Sequence, residues 1–93
     1  MKDSFYADEE HNGLGLKEYD HHVLISRKAS FYSPEKISIG NYVRIDDFCI
    51  LSGKIQIGSF IHISVSADLY AQFGIFIHDY AGLSSHSIVY SAR

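Results

Sequence analysis

From Val23 to Val89 a small or apolar residue returns every six positions, with an apolar one two residues after it. The segments that carry the pattern are Val23-Leu24-Ile25, Ala29-Ser30-Phe31, Ile37-Ser38-Ile39, Val43-Arg44-Ile45, Cys49-Ile50-Leu51, Ile55-Gln56-Ile57, Ile61-His62-Ile63, Ala67-Asp68-Leu69, Ile75-Phe76-Ile77, Ala81-Gly82-Leu83 and Ser87-Ile88-Val89. Two inward side chains flanking one outward side chain are what a three-residue strand provides, since side chains alternate across a strand. The residues between are turn formers, among them Gly40-Asn41-Tyr42, Asp46-Asp47-Phe48, Ser52-Gly53-Lys54, Gly58-Ser59-Phe60, Ser64-Val65-Ser66, His78-Asp79-Tyr80 and Ser84-Ser85-His86. The glycine that leads these turns is read as serving a positive φ, which His78 tolerates better in its place than a β-branched residue would. The spacing stretches after Ala29 and after Ala67, which predicts longer corners at Ser33-Pro34-Glu35-Lys36 and Tyr70-Ala71-Gln72-Phe73-Gly74.

Three such segments close one coil, and corresponding positions in successive coils match. Ile39, Ile57 and Ile77 form one inward column, Ile45, Ile63 and Leu83 a second, and Leu51, Leu69 and Val89 a third. Tyr42, Phe60 and Tyr80 form an aromatic column along one edge. The expected fold is all-β, a parallel β-helix of about three to four coils whose aliphatic prism is its own core. A sandwich or barrel would show longer strands with turn signals 8–12 residues apart. Residues 1–22 lack the repeat and read as an N-terminal cap on the helical body 23–93. One or two helical turns are expected over Ala7 to Asn12, stopped by Gly13, and an extended edge from Gly15 to Tyr19.

Length sharpens this picture: a chain of 93 residues makes one domain, and it buries only ~60–65% of its unfolded surface, so a regular or shared core is needed. Net charge is −3 with no run of Lys or Arg, which disfavours nucleic acid and anionic membranes as partners. No apolar leader or spanning stretch is visible, and the expected location is the cytoplasm. The single cysteine, Cys49, falls at an inward position and reads as a buried, inert thiol.

Ile39-Gly40-Asn41-Tyr42-Val43, Ile57-Gly58-Ser59-Phe60-Ile61 and Ile77-His78-Asp79-Tyr80-Ala81 resemble the hexapeptide signature of the left-handed β-helix acyltransferases. The likeness runs from Val23 to Ala92 and is nearest to the galactoside and maltose O-acetyltransferases and their surface-polysaccharide relatives. The resemblance implies left-handed coils, homotrimers, and acetyl-CoA and a sugar acceptor bound between subunits. It also implies a histidine general base on a loop that deprotonates the acceptor for attack on the thioester. Aligning the Tyr70 to Gly74 corner with that branch puts this histidine one position beyond Arg93. The chain is therefore expected to be a truncated form that lacks the catalytic His and the CoA pocket. The same alignment sets Ser64 and Gln72 where that branch has sugar-binding Asn and Asp, departures from the galactoside pattern.

Within the chain, His62 and His86 are the candidates for a base. His62 is the outward member of its strand, between Arg44 and Gly82, and a solvated or interface histidine is the plainer reading of it. His86 ends a turn one coil above Ser66. The γ-class carbonic anhydrases share this fold and bind zinc through three histidines, but His62, His78 and His86 lack the required spacing, so no metal is expected. Asp46-Asp47 reads as turn chemistry. Ile50 and Ile88 on one face and Phe76 on another are outward apolar residues, hence expected interface positions. Two functions follow: CoA-dependent acetyl transfer to a sugar hydroxyl or amine, or a non-catalytic β-helix remnant that serves as an oligomeric interaction module.

Overall fold

A computed structural model describes residues 4–91 and shows a parallel β-helix. Its strands are β1 (Glu18–Tyr19), β2 (Val23–Ile25), β3 (Ser30–Tyr32), β4 (Ile37–Ile39), β5 (Val43–Ile45), β6 (Ile50–Ile57), β7 (Ile61–Ile63), β8 (Asp68–Ile77), β9 (Gly82–Leu83) and β10 (Ile88–Ser91). One sheet runs β1-β4-β6-β8-β10 with β3 also on β6, and the other runs β2-β5-β7-β9. Every strand pair is parallel and in the register that the repeat implies: Ile39↔Ile57↔Ile77, Val43↔Ile61, Ile45↔Ile63↔Leu83 and Leu51↔Leu69↔Val89. The inward columns are buried, with Ile25, Ile37, Ile45, Leu51, Ile63 and Leu69 at 0% exposure. Truncating one of these isoleucines to alanine removes contacts on all sides and costs about 2–5 kcal/mol.

Two corners differ from expectation. Ser52-Gly53-Lys54 and Tyr70 to Gly74 are not turns; β6 and β8 run through them, bonded to each other across the bend. Gly53 pairs with Ala71 and Ile55 with Ile75, so a bulge absorbs the two residues by which the upper corner is longer. The backbone at Gly53 (φ 94) and Gly74 (φ 98) makes the bend. The other long corner, by contrast, closes as a short 3₁₀ helix, Pro34–Lys36.

The turn glycines also work differently from the sequence reading. Positive φ falls on the third turn residue, at His22, Tyr42, Phe60 and Tyr80 (φ 58, 56, 60 and 66) and at Phe48, Ser66 and His86 (φ 64, 62 and 64). Gly40 and Gly58 are needed for space: a Cβ on Gly40 would lie 2.6 Å from the Gly58 carbonyl oxygen, and one on Gly58 would lie 2.3 Å from Asp79 Oδ1. His78 accordingly carries no positive φ, and its side chain is exposed.

A left-handed conformation costs an ordinary residue about 1–2 kcal/mol. The edge offsets this by stacking: the ring centroids of His22, Tyr42, Phe60 and Tyr80 follow one another at 4.5, 5.2 and 4.9 Å with nearly parallel planes, each such pair contributing about 0.5–1.5 kcal/mol. The expected aromatic column is present, and His22, the last residue of the segment read from sequence as a cap, is its lowest ring.

At the N-terminal end a 3₁₀ helix spans Asp8–Leu14 and stops at Gly15 (φ 77). It ends two residues later than the expected segment, because Gly15 and not Gly13 takes the left-handed φ that ends it. β1 then pairs with β4. Gly40→Ala is expected to lower stability by about 1–3 kcal/mol, the range for inserting a methyl into a packed site. At about 4–8 °C per kcal/mol for a domain of this size, a calorimetric melt resolves the change. Gly13→Ala, which meets nothing within 4 Å, is the control and leaves the melt where it was; equal melts for both variants would refute the close-approach reading.

Candidate active site

Strands β5 and β7 lie in register with Val43, Ile45, Ile61 and Ile63 facing inward, so Arg44 and His62 must both face outward. On the same ladder Leu24 lies below Arg44 and Gly82 above His62. Past β5 the chain turns at Asp46, whose backbone N–H donates to the Ile63 carbonyl at 3.0 Å. That bond brings the Asp46 carboxylate alongside the two outward side chains.

Arg44 Nε donates to Asp46 Oδ1 at 2.7 Å, and His62 Nε2 lies 2.7 Å from Asp46 Oδ2. An ionised carboxylate only accepts, so Nε2 carries the hydrogen of this bond and Nδ1 faces away from it. Partial burial pushes the Asp46 carboxyl upward, but the hydrogen bonds from His62 and Arg44 outweigh it and hold the group below its usual range. The Arg44 guanidinium lies over the Phe5 ring, 5.4 Å from its centroid. The N-terminal segment is fixed at the same corner by Ser4 Oγ, which donates to Asp47 Oδ1 at 2.7 Å, and by Ser26 Oγ, which donates to the same oxygen at 2.5 Å. These two hydroxyls lower the Asp47 carboxyl as well.

Successive coils extend this polar edge. Asp46, Ser64 and Ser84 each open the turn after the second face, stacked through Asp46 N–H to Ile63 O and Ser64 N–H to Leu83 O at 3.1 Å. His86, exposed, closes the topmost of these turns. Thus His62, Ser64 and His86 gather along one corner. Gln72 does not join them: it is exposed on β8, where that strand bends from the third face to the first. Arg44 and the role of Asp46 escaped the sequence reading, although both are legible once the ladder is drawn. Arg44 and His62 occupy equivalent outward positions of adjacent coils, and a carboxylate two residues after Arg44 lies within reach of both.

Cys49 is fully buried and its thiol donates to the Ser64 carbonyl at 3.1 Å; burial pushes the thiol up. Among the expected interface positions Ile88 and Phe76 are exposed, whereas Ile50 is half-buried. Ile50 and Ile88 share a ladder with Asp68 between them. Among the described residues no three His, Cys, Asp or Glu side chains converge as metal ligands, and no helix is long and apolar enough to cross a membrane.

An Asp–His pair of this geometry fixes the tautomer and plane of the imidazole and leaves its second nitrogen free to exchange a proton with a bound molecule. Because the Asp46 carboxyl is held low, its contribution to stability is complete above the ordinary carboxylate range and is lost as the pH falls through the lowered value. Melting temperatures should therefore hold steady from neutrality to pH about 5 and drop below about 4, given the usual aspartate range. Asp46→Asn should flatten that acid limb; parallel limbs for the two proteins would mean that the carboxylate has no favourable partners.

No family model matches the chain. It is 45% identical to the dTDP-4-amino-4,6-dideoxy-D-glucose acyltransferase of Escherichia coli over 92 residues, 95% of this chain and 48% of that protein. Among solved structures it resembles a serine-to-cysteine variant of AntD, an N-acyltransferase from Bacillus cereus, in complex with dTDP-4-amino-4,6-dideoxyglucose and coenzyme A. The TM-score is 0.94 at 52% identity, covering 97% of this chain and 49% of that one. AntD in complex with dTDP and 3-hydroxybutyryl-CoA gives a TM-score of 0.93 at 53% identity, covering 96% and 48%. The chain spans about half the length of these relatives.

Proposed function

We propose that this chain, a homologue of hexapeptide-repeat sugar N-acyltransferases, serves the transfer of an acyl group from acyl-CoA to the amine of a thymidine-diphosphate-linked amino sugar. The single observation that carries the proposal is the 52% identity and TM-score of 0.94 with an N-acyltransferase that holds both such an acceptor and coenzyme A. Identity at that level extends beyond the inward columns that fold requires.

The amine acceptor narrows the hydroxyl-or-amine expectation from the sequence. The donor is a short acyl-CoA: acetyl-CoA follows from the family resemblance, and 3-hydroxybutyryl-CoA is bound by one relative. The polar edge with His62, Ser64, Ser84 and His86 is the face that meets the acceptor. It is open to solvent in the single chain, with the His62 side chain 51% exposed, so a neighbouring subunit is needed to exclude water from the reacting thioester. We assign the exposed Ile88 and Phe76, which lie on two different faces, to contacts between copies in a homotrimer, since large apolar side chains left exposed mark interfaces. Acyl-CoA and nucleotide sugars are cytoplasmic metabolites, and the reaction belongs in that compartment.

Incubation of the chain with dTDP-4-amino-4,6-dideoxyglucose and either acetyl-CoA or 3-hydroxybutyryl-CoA should yield the N-acylated sugar nucleotide by mass spectrometry. Light scattering on the same sample should give three copies. No product and no thermal shift with millimolar dTDP or CoA would leave the non-catalytic β-helix as the better reading.

A further inference from the structure

The corner from the third face to the first gathers lysines that the sequence keeps apart. Lys17, Lys36 and Lys54 are 19 and 18 residues apart, about one coil each, so no run of basic residues announces them. The Lys17 backbone N–H donates to the Ile37 carbonyl at 3.0 Å, and Ile37 pairs with Ile55, which sets Lys36 and Lys54 at the same point of successive coils. All three lysines line one concavity of about 190 Å³, together with Glu35, Ser38 and Gln56. In a chain of net charge −3 this is a local excess of three cations over one carboxylate. Arg27 and Arg44 each pair with a carboxylate, whereas none of these three ammonium groups has an ion pair or a hydrogen bond among the described residues. Adjacent coils lie about 4.8 Å apart, and like charges stacked at that spacing repel, so folding does not call for the column. Nor does it protect an exposed edge, because β6 is paired on both sides.

We propose that this corner is a binding site for a diphosphate group. Three cations drawn from three coils extend over two coil spacings, about 10 Å, which is more than a single phosphate spans and enough for two linked phosphoryl units. Lysine recognises phosphate as a point charge on a flexible stem. Ser38 and Gln56, register partners on β4 and β6, add a hydroxyl and an amide donor beside it. Glu35 on the rim and Glu18, the register partner of Ser38, repel a long polyanion, so nucleic acid does not fit. The site lies on a different corner from the polar edge of His62, Ser64 and His86, and it does not rest on the acyl-transfer reading. Diphosphate can reach the chain free, as dTDP or as part of coenzyme A, and the test separates these sources.

Calorimetric titration of the full chain with sodium pyrophosphate at low ionic strength should show one ligand bound per chain, about tenfold tighter than sulfate because more charge contacts are made. Lys36→Gln and Lys54→Gln should each weaken binding about fivefold, the weight of one charge contact in water, and the double variant should remove it at millimolar pyrophosphate. Lys28→Gln, which changes a lysine lying over Phe48 on another corner, should bind as the wild type does. Without ligand, Lys36→Gln and Lys54→Gln should melt no lower than the wild type, since each removes a repelling charge. Sodium chloride at about 0.5 M should weaken binding, because the screening length contracts to a few ångströms. dTDP and coenzyme A are then titrated against bound pyrophosphate: displacement shows which of them carries the group to this corner, and displacement by neither leaves free diphosphate as the ligand. The proposal is overturned by the absence of both heat and thermal shift at millimolar pyrophosphate, by equal affinity for sulfate, by affinities that ignore Lys36→Gln and Lys54→Gln, or by a lower melt of those variants without ligand, which would mark the lysines as structural.

Discussion

Parallel pairing of each coil with the next in strict register is the constraint from which the rest of this molecule follows. Each three-residue strand is too short to persist alone, so its backbone groups are satisfied only by the equivalent residues one coil away. Register then decides everything laterally: a slip of one residue would turn an entire aliphatic column out to solvent. It also decides everything vertically, since any side chain at a given position must coexist with the same position above and below. Gly40 and Gly58 illustrate the vertical limit, because coils approach too closely there for a Cβ. The bulge between Gly53 and Ile55 illustrates how the limit is satisfied when two corners differ in length.

The same vertical repetition makes unusual corners tolerable. Aromatic residues at left-handed φ would be strained anywhere else, yet at this edge each ring lies on the next. The strain of one coil is thereby offset by contact with its neighbour, a sum in which each coil interacts only with adjacent ones. The Tyr70–Tyr90 pair, with centroids 5.1 Å apart, stacks from coil to coil as well, on extended backbone that carries no such strain.

The repeat alone made the sheet order, inward columns and aromatic edge legible, because all are consequences of period and alternation. What the sequence hid were effects of geometry between coils. Glycine in Gly40-Asn41-Tyr42 looks like a residue chosen for φ, and only the distance to Gly58 reveals that it is chosen for space. Tyr70 to Gly74 looks like a loop by composition, but continuous pairing with β6 keeps it extended. His62, Ser64 and His86 were visible as candidates, and their shared corner follows from the period. The partner that gives His62 its chemistry was read as a turn former instead, since Asp46 is two residues from Arg44 in sequence but bonded to His62 only across the coil boundary. Gln72 was paired with Ser64 by family likeness, and the fold separates them onto different corners within one chain.

A β-helix offers function little of the usual material, for it has no cleft between layers and no helix ends directed at a common point. Its chemistry must lie on the outward positions and corners, and a repeat that stacks like on like tends to fill these with ladders of identical residues. A site therefore shows itself as a break in a ladder. On the first face the outward run Ser38, Gln56, Phe76 changes in size without any polar contact among its members. On the second face Leu24, Arg44, His62 and Gly82 pass from apolar to cation to imidazole to nothing, and the charged members converge on one carboxylate. An exposed ion pair in water contributes little to stability, so stability alone is a weak reason for this arrangement. Its orientation is fixed by the two hydrogen bonds to the Asp46 carboxylate and by Arg44, itself held over the Phe5 ring. It is the outward ladder of the second sheet in which two side chains from adjacent coils meet on one carboxylate, a departure from like-on-like stacking that marks this corner as the place to look for chemistry.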